Sequence, residues 1–227
     1  MVKINRKISV VIRVKNEERW IGHCIQSVLD MIDKPEIVIV DNNSTDDSIK
    51  ISNLFIEDPA LDNKNKNYTK MRLVKIDNYS PGRAINLGVK NCSNQYILVI
   101  SAHCVLKKIN LNKLIDYLEN NVAVFGKQIP ILNGKKINKR YIWSHFGDKS
   151  INNMFSKLEN RFFFHNALSF FKKQSITKYP FDEKLVGKED RYWAQHIIKN
   201  LKKNILYSPD FEVEHHYTPD GNTWKSF

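Results

Sequence analysis

Long apolar runs are missing from this sequence of 227 residues. None approaches the roughly 20 residues that a bilayer-spanning helix needs, so no transmembrane helix is expected. The opening Met-Val-Lys-Ile-Asn-Arg-Lys runs straight into a strand-like segment and lacks a signal-peptide core. Cysteine is scarce. Cys24, Cys92 and Cys104 have no metal-site spacing and leave an odd thiol if two pair, which excludes a disulfide framework and fits a reducing compartment. The expectation is a soluble, cytoplasmic protein. No low-complexity linker divides the chain, so residues 1–227 are expected to form a single domain. A single basic tract is also missing: the formal net charge is +12, but the lysines stand in scattered pairs such as Lys107-Lys108 and Lys202-Lys203. That excess suits anionic partners such as membranes or nucleotides. Nucleic acid is not expected, because aromatics sit in apolar runs such as Phe162 to Phe164 and are not interleaved with arginine as a stacking platform would be.

What is present is an alternation of strand and helix signals. Ile37 to Val40 is an unbroken β-branched run, the pattern of a strand buried on both faces of a parallel sheet. It stops at Asp41, a carboxylate at a strand's C-terminal end followed by small polar residues, where open α/β sheets bind ligands. Before it, Ile8 to Val14 reads as a strand interrupted by Arg13. Asn16 then reads as the cap of a helix with Glu17 and Glu18 in its first turn and Trp20, Ile21, Cys24, Ile25, Val28 and Leu29 on its apolar face. After Asp41, Ser44 reads as the cap of a second helix, and residues 57–70 as a surface excursion. Arg72 to Ile76 is a third strand, ending at Asp77; Ser80 with Pro81 starts a third helix. Tyr96 to Ile100 is a fourth strand, ending on Ser101-Ala102-His103-Cys104.

Strands alternating with helices predict an α/β fold: a doubly wound, mostly parallel central sheet with helices on both faces. The polar clusters at Asp41, Asp77 and Ser101 to His103 then share one edge and converge on one crevice. The second half is less regular. Residues 111–118 predict a short helix and 122–125 a strand, 126–162 predict loops covering a site, and 162–171 a buried ribbon crossing the crevice. A helix over 188–201 carries Glu189 and Asp190 in its first turn. A last strand over 205–208 is expected to lead into a polar tail holding Glu214-His215-His216.

Taken in order, Ser9-Val10-Val11-Ile12 with Asn16-Glu17-Glu18, Glu36 to Ser48, Gly82-Arg83-Ala84-Ile85-Asn86-Leu87-Gly88, Asn166-Ala167, Phe181-Asp182-Glu183 and Gly187-Lys188-Glu189-Asp190 resemble a family 2 glycosyltransferase of the GT-A fold. The resemblance implies transfer of a sugar from a nucleotide-sugar donor to an acceptor hydroxyl, with 1–104 as the nucleotide-sugar-binding half and 105–227 as a loop-rich, acceptor-binding and catalytic half. It assigns Asp41, Asn43, Arg13, Asp77, Arg83 and Ser101 to donor binding. A carboxylate suits ribose hydroxyls or a base N–H, and a guanidinium suits a diphosphate. The pair Glu189 and Asp190 supplies the catalytic base, with Asp190 placed ahead of Glu189.

One departure bears on the metal. The family's usual Asp-X-Asp at the end of the fourth strand reads Ser101-Ala102-His103 here. Related enzymes hold the metal with a histidine at this place and a second one in the C-terminal part, which makes His103 with His215 or His216 candidate ligands for Mn2+ or Mg2+; imidazole favours Mn2+. A metal-independent mechanism with Arg or Lys on the diphosphate stays open. The resemblance further implies an inverting enzyme of bacterial surface-glycan assembly (capsule, lipopolysaccharide or a glycoprotein glycan). A glycan or lipid-linked acceptor would place a basic protein peripherally on the inner face of the membrane. The alternatives are a catalytically impaired module binding nucleotide sugars or polyanions, and a nucleotidyltransferase. The latter lacks its glycine-rich basic loop, because Arg13-Val14-Lys15-Asn16-Glu17-Glu18 follows the first strand.

Overall fold

The protein was analysed as a computed structural model, which describes residues 8–57, 70–137, 146–157 and 159–219. Four parallel strands build the first half: β1 (Ile8–Val14), β2 (Glu36–Asp41), β3 (Lys70–Lys75) and β4 (Tyr96–Ser101), in the spatial order β3-β2-β1-β4. Helices α1 (Ile21–Met31), α2 (Ser48–Ile56) and α3 (Pro81–Lys90) connect them. All six residues of β2 are buried. Its side chains alternate between two cores, Val38 and Val40 facing α3 while Ile37 and Ile39 face α1. That two-sided burial explains why the run contains no alternation of polar residues.

The capping residues are used differently from the sequence expectation. Ser80 does cap α3, its Oγ accepting from the Arg83 amide, with Pro81 in the first turn. Asn16 and Ser44 do not cap their own helices, which start later, at Ile21 and Ser48. Instead the two loops lock each other. The Asn16 amide donates to Ser44 Oγ, the Thr45 amide to Asn16 Oδ1, the Glu17 amide to Ser48 Oγ, and the Glu18 amide to Asp46 Oδ2. Residue types suited to capping serve equally well between adjacent strand ends, because both settings offer unpaired backbone N–H groups.

The second half extends the same sheet. It comprises β5 (Cys104–Lys108), α4 (Leu111–Asn120), β6 (Ala123–Leu132), β7 (Lys135–Lys136), β8 (Ile151–Asn152), β9 (Phe155–Ser156), β10 (Arg161–Phe162), β11 (Leu168–Lys172), α5 (Lys173–Lys178), α6 (Glu189–Gln195) and β12 (Ile205–His216). β11 inserts antiparallel between β4 and β6, β12 runs parallel to β6, and β5 closes the edge antiparallel to β12. The helix expected over 188–201 is α only to Gln195 and continues as a π-helical turn from His196 to Asn200. The expected loop region begins with an ordered strand as far as Leu132. The excursion at 57–70 falls largely outside the described residues.

The largest correction concerns the C-terminal part. The sequence predicts a strand ending at Ser208 and a polar tail, whereas β12 continues to His216 through an irregularity between Tyr207 and Glu212. The break in periodicity at Ser208-Pro209-Asp210 is that irregularity, and a strand interrupted this way reads as a strand end. Gly126 of β6 makes room for it: a Cβ there would stand 2.7 Å from the Phe211 carbonyl oxygen and 2.4 Å from Leu168 Cδ2. Gly126→Ala is therefore expected to lower stability by about 1–3 kcal/mol in urea unfolding, because backbone cannot yield as a side chain can. Gly147→Ala, with nothing within 4 Å, is expected to leave the midpoint unchanged. Equal midpoints for the two variants would contradict the close packing at Gly126.

A cleft at the strand ends as the candidate active site

The C-terminal ends of β1 and β4 open into a cleft of about 830 Å3. The turn between β4 and β5 carries His103 to its wall. β12 pairs with β5 so that His215 lies opposite Cys104, and the His216 amide donates to the His103 carbonyl. The two imidazoles thereby meet through their Nε2 edges, with near-parallel rings (22°), ring centroids 4.8 Å apart and Nε2 atoms 2.9 Å apart.

Their outer nitrogens set the tautomers. His103 Nδ1 stands 2.8 Å from the Glu17 carboxylate, and His215 Nδ1 stands 2.6 Å from the Gln128 amide oxygen. Both oxygens accept, so each Nδ1 carries a proton, and the two Nε2 atoms are left facing each other. Burial first, then the neighbouring His103 ring, hold His215 well below the usual imidazole range, which keeps it neutral. Two ring nitrogens in contact at 2.9 Å need a proton or a cation between them. Two nitrogens each about 2.1 Å from one metal ion, at right angles around it, lie about 3 Å apart, so the spacing fits a divalent metal. Cys104 completes the group of metal-capable side chains, but its thiol is buried and held protonated, chiefly by burial. His216 points to the other side of β12, where it stacks on Trp20 with centroids 3.8 Å apart. Of the two C-terminal histidines, the structure brings His215 to His103.

The carboxylate pair comes from the other side of the cleft. Lys188, in a left-handed conformation at φ 61°, turns the chain into α6, whose first turn holds Glu189 and Asp190. Glu189 is buried and faces Arg13 Nη1 at 3.5 Å. Asp190 accepts from the Arg191 amide at 2.7 Å. Burial, and secondly the charge of Glu189, push its carboxyl up to about 7.

Arg13, Ser101, His103, Glu189, Asp190 and His215 all line the cleft. Asp41 does not; it is buried at the end of β2, its Oδ1 accepting from the Ser44 amide. Asn43 and Asp77 lie on exposed turns beside this edge. The structure does not bring Arg83 to the cleft: its guanidinium is held by Glu183 at 3.0 Å and by the Asn78 carbonyl. The exposed Glu183 attracts it more than an open cleft mouth would. Sequence reasoning took Glu17 for a helix-start carboxylate and passed over Gln128, Arg161 and His165. Glu17 carried a signal in its position just past a strand end, whereas Gln128 carried none.

A family model described as glycosyl transferase family 2 matches residues 9–180. The chain belongs to this family. Its curated relatives include the minor teichoic acid biosynthesis protein GgaA of Bacillus subtilis, 23% identical over 210 residues, covering 86% of this chain and 44% of the relative. The chain spans less than half the length of the curated relatives that it matches. The fold resembles that of S. aureus TarS in complex with UDP-GlcNAc, with TM-score 0.70 and 16% identity, covering 97% of this chain and 61% of TarS. It also resembles GalNAc-T7 with UDP, GalNAc and Mn2+, with TM-score 0.70 and 13% identity, covering 96% and 45%. These are GT-A glycosyltransferase folds, and the mixed sheet described above is of that class. No helix among the described residues is long and apolar enough to cross a membrane.

The raised Asp190 pKa has a consequence for stability. An unfolded aspartate ionises near pH 4, about 3.9, so folding is disfavoured increasingly as pH rises from there to about 7, while below pH 4 both states are protonated. Asp190→Asn removes this cost. Its melting temperature is expected to match the parent below about pH 3.9 and to exceed it by several degrees at pH 8; a difference independent of pH would contradict the shift.

Proposed function

We propose that this chain is a glycosyltransferase that moves a sugar from a nucleotide-sugar donor to an acceptor hydroxyl with inversion, in bacterial surface-glycan assembly. The observation that carries the reading is a carboxylate pair with divided environments facing a pair of imidazoles across one cleft. Glu189 is held by Arg13, whereas Asp190 is pushed towards neutral pH, where a general base works best. Asp190 takes the proton of the acceptor hydroxyl, the oxygen attacks the anomeric carbon, and the bond to the diphosphate oxygen breaks with its electron pair leaving on the nucleotide. Residues 1–104 supply the donor half, with Asp41, Asn43 and Asp77 on the nucleoside side and Arg13 and Ser101 in the cleft. Residues 105–227 supply the acceptor half.

Ser101-Ala102-His103 stands in this reading for the family's metal-binding motif. His103 and His215 would hold a divalent cation, whose chemistry is to offset negative charge on a leaving diphosphate. Glu17 and Gln128 orient the two rings, as partners of metal-bound histidines do. The relatives' names support the process: GgaA is a teichoic acid biosynthesis protein. The net charge of +12 suits a peripheral position at an anionic membrane face.

With UDP-, GDP- and dTDP-sugars tested in turn, Asp190→Asn is expected to keep donor affinity within about twofold and to lower transfer by more than about a hundredfold. In the parent, kcat/KM should rise with pH through about 7. Donor binding without turnover in the parent would instead make the chain a binding module. Binding of Mn2+, followed by electron paramagnetic resonance, should be lost in His215→Ala, weakened in Glu17→Gln and retained in His216→Ala. Retention in His215→Ala would remove the metal from this place.

A further inference from the structure

Among the described residues, six buried side-chain atoms lack a hydrogen-bond partner, and five of them belong to residues lining the cleft: Arg13 Nε, both terminal nitrogens of Arg161, His165 Nδ1 and Asn166 Nδ2. Buried polar groups are seldom left unpaired, and a concentration of them in one cleft marks groups reserved for a ligand. Arg13 is engaged with Glu189, but the other three residues take no part in the transfer step.

Their orientations are fixed by neighbours. The Arg161 guanidinium lies 4.4 Å over the Phe163 ring and its Nε donates to Glu159, which sets the plane and leaves the two terminal nitrogens buried without a hydrogen-bond partner. Asn166 is 3% exposed; its Oδ1 accepts from Ser169 Oγ at 3.1 Å, so its amide nitrogen is the free end. His165, 7% exposed, donates Nε2–H to the Gly126 carbonyl at 2.9 Å. Burial holds it down to about 4, so its Nδ1 is a lone-pair acceptor. The wall thus offers several donors, one of them cationic and forked, beside a single acceptor.

We propose that Arg161, Asn166 and His165 form a subsite for an anionic group, a phosphate or carboxylate, carried by the acceptor near the hydroxyl that receives the sugar. The Arg161 fork and the Asn166 amide donate to the anion's oxygens, the pairing for which a guanidinium is shaped, and His165 Nδ1 accepts from a neighbouring hydroxyl. The acceptor, rather than the donor, is assigned because β10 packs against α6, the helix that carries Asp190, and the acceptor hydroxyl has to meet that base. Glu159 offsets one charge of Arg161, and the cations Lys188 and Arg191 stand on the same turn as the carboxylates Glu189 and Asp190, so this wall is close to neutral overall and the anion is recognised by directed donors rather than by net charge. Placing the anion on the acceptor rests on the glycosyltransferase reading above.

The test saturates the protein with whichever of UDP, GDP or dTDP it binds, so that the donor's phosphate contacts are taken. Calorimetry then measures glucose 6-phosphate, glucuronate and glucose as probes. One or both anionic probes are expected to bind at least tenfold more tightly than glucose, and their relative affinities separate phosphate from carboxylate recognition. Arg161→Gln should remove that advantage and Arg161→Lys should retain part of it, with nucleoside diphosphate affinity unchanged in both, which also reports intact folding. Equal binding of charged and neutral probes would overturn the subsite. Loss of nucleoside diphosphate binding in Arg161→Gln, with probe binding kept, would move Arg161 to the donor side and overturn it as well. Anionic probe binding in a protein that takes no nucleoside diphosphate would sink the glycosyltransferase reading while leaving the anion site in place.

Discussion

A line of polar contacts ties the two halves of this protein together at the cleft. It starts where the Glu17 amide donates to Ser48 Oγ, passes from the Glu17 carboxylate to His103, crosses to His215 and ends on Gln128. Each step joins a different element: the loop after β1, the start of α2, the turn after β4, then β12 and β6. The imidazole pair in the middle is the critical link, because two ring nitrogens 2.9 Å apart are stable only with a proton or a cation between them. The surrounding structure holds the rings there regardless, through the β5–β12 pairing and the two outer oxygens.

The opposite wall follows a related logic with carboxylates. Glu189 and Asp190 are adjacent on one helical turn, so their charges work against each other wherever the turn is buried. Arg13, reaching across from β1, pairs with Glu189 at 3.5 Å. Among the described residues Asp190 has no such partner, and burial together with the Glu189 charge raises its proton affinity, at a cost in folding stability above neutral pH.

Much of the first hundred residues was legible in the sequence. The unbroken β-branched strands, the Ser80-Pro81 helix start and the polar residues at the strand ends follow from local rules, in which burial and backbone geometry act over a few positions. The second half was less so. β12 is crossed by Ser208-Pro209-Asp210, whose turn chemistry hides a strand that continues to His216. Asn16 and Ser44 were recognised as capping residues but given the wrong partners, because the groups that they satisfy belong to a neighbouring strand end.

By itself, the sequence determined the α/β class, the edge of the sheet on which polar residues gather, and the candidate pairing of His103 with a C-terminal histidine. The tertiary structure decided which histidine, because strand alternation sends His215 inward and His216 onto Trp20. It also decided that Arg83 leaves the cleft, that Glu17 and Gln128 set the imidazole tautomers, and that Arg161, His165 and Asn166 present unpaired atoms there. The physical reason is the same in each case. Local pattern fixes an element and its buried face, whereas a side chain's partner, and with it its protonation and its availability to a ligand, depends on groups brought from distant positions in the chain.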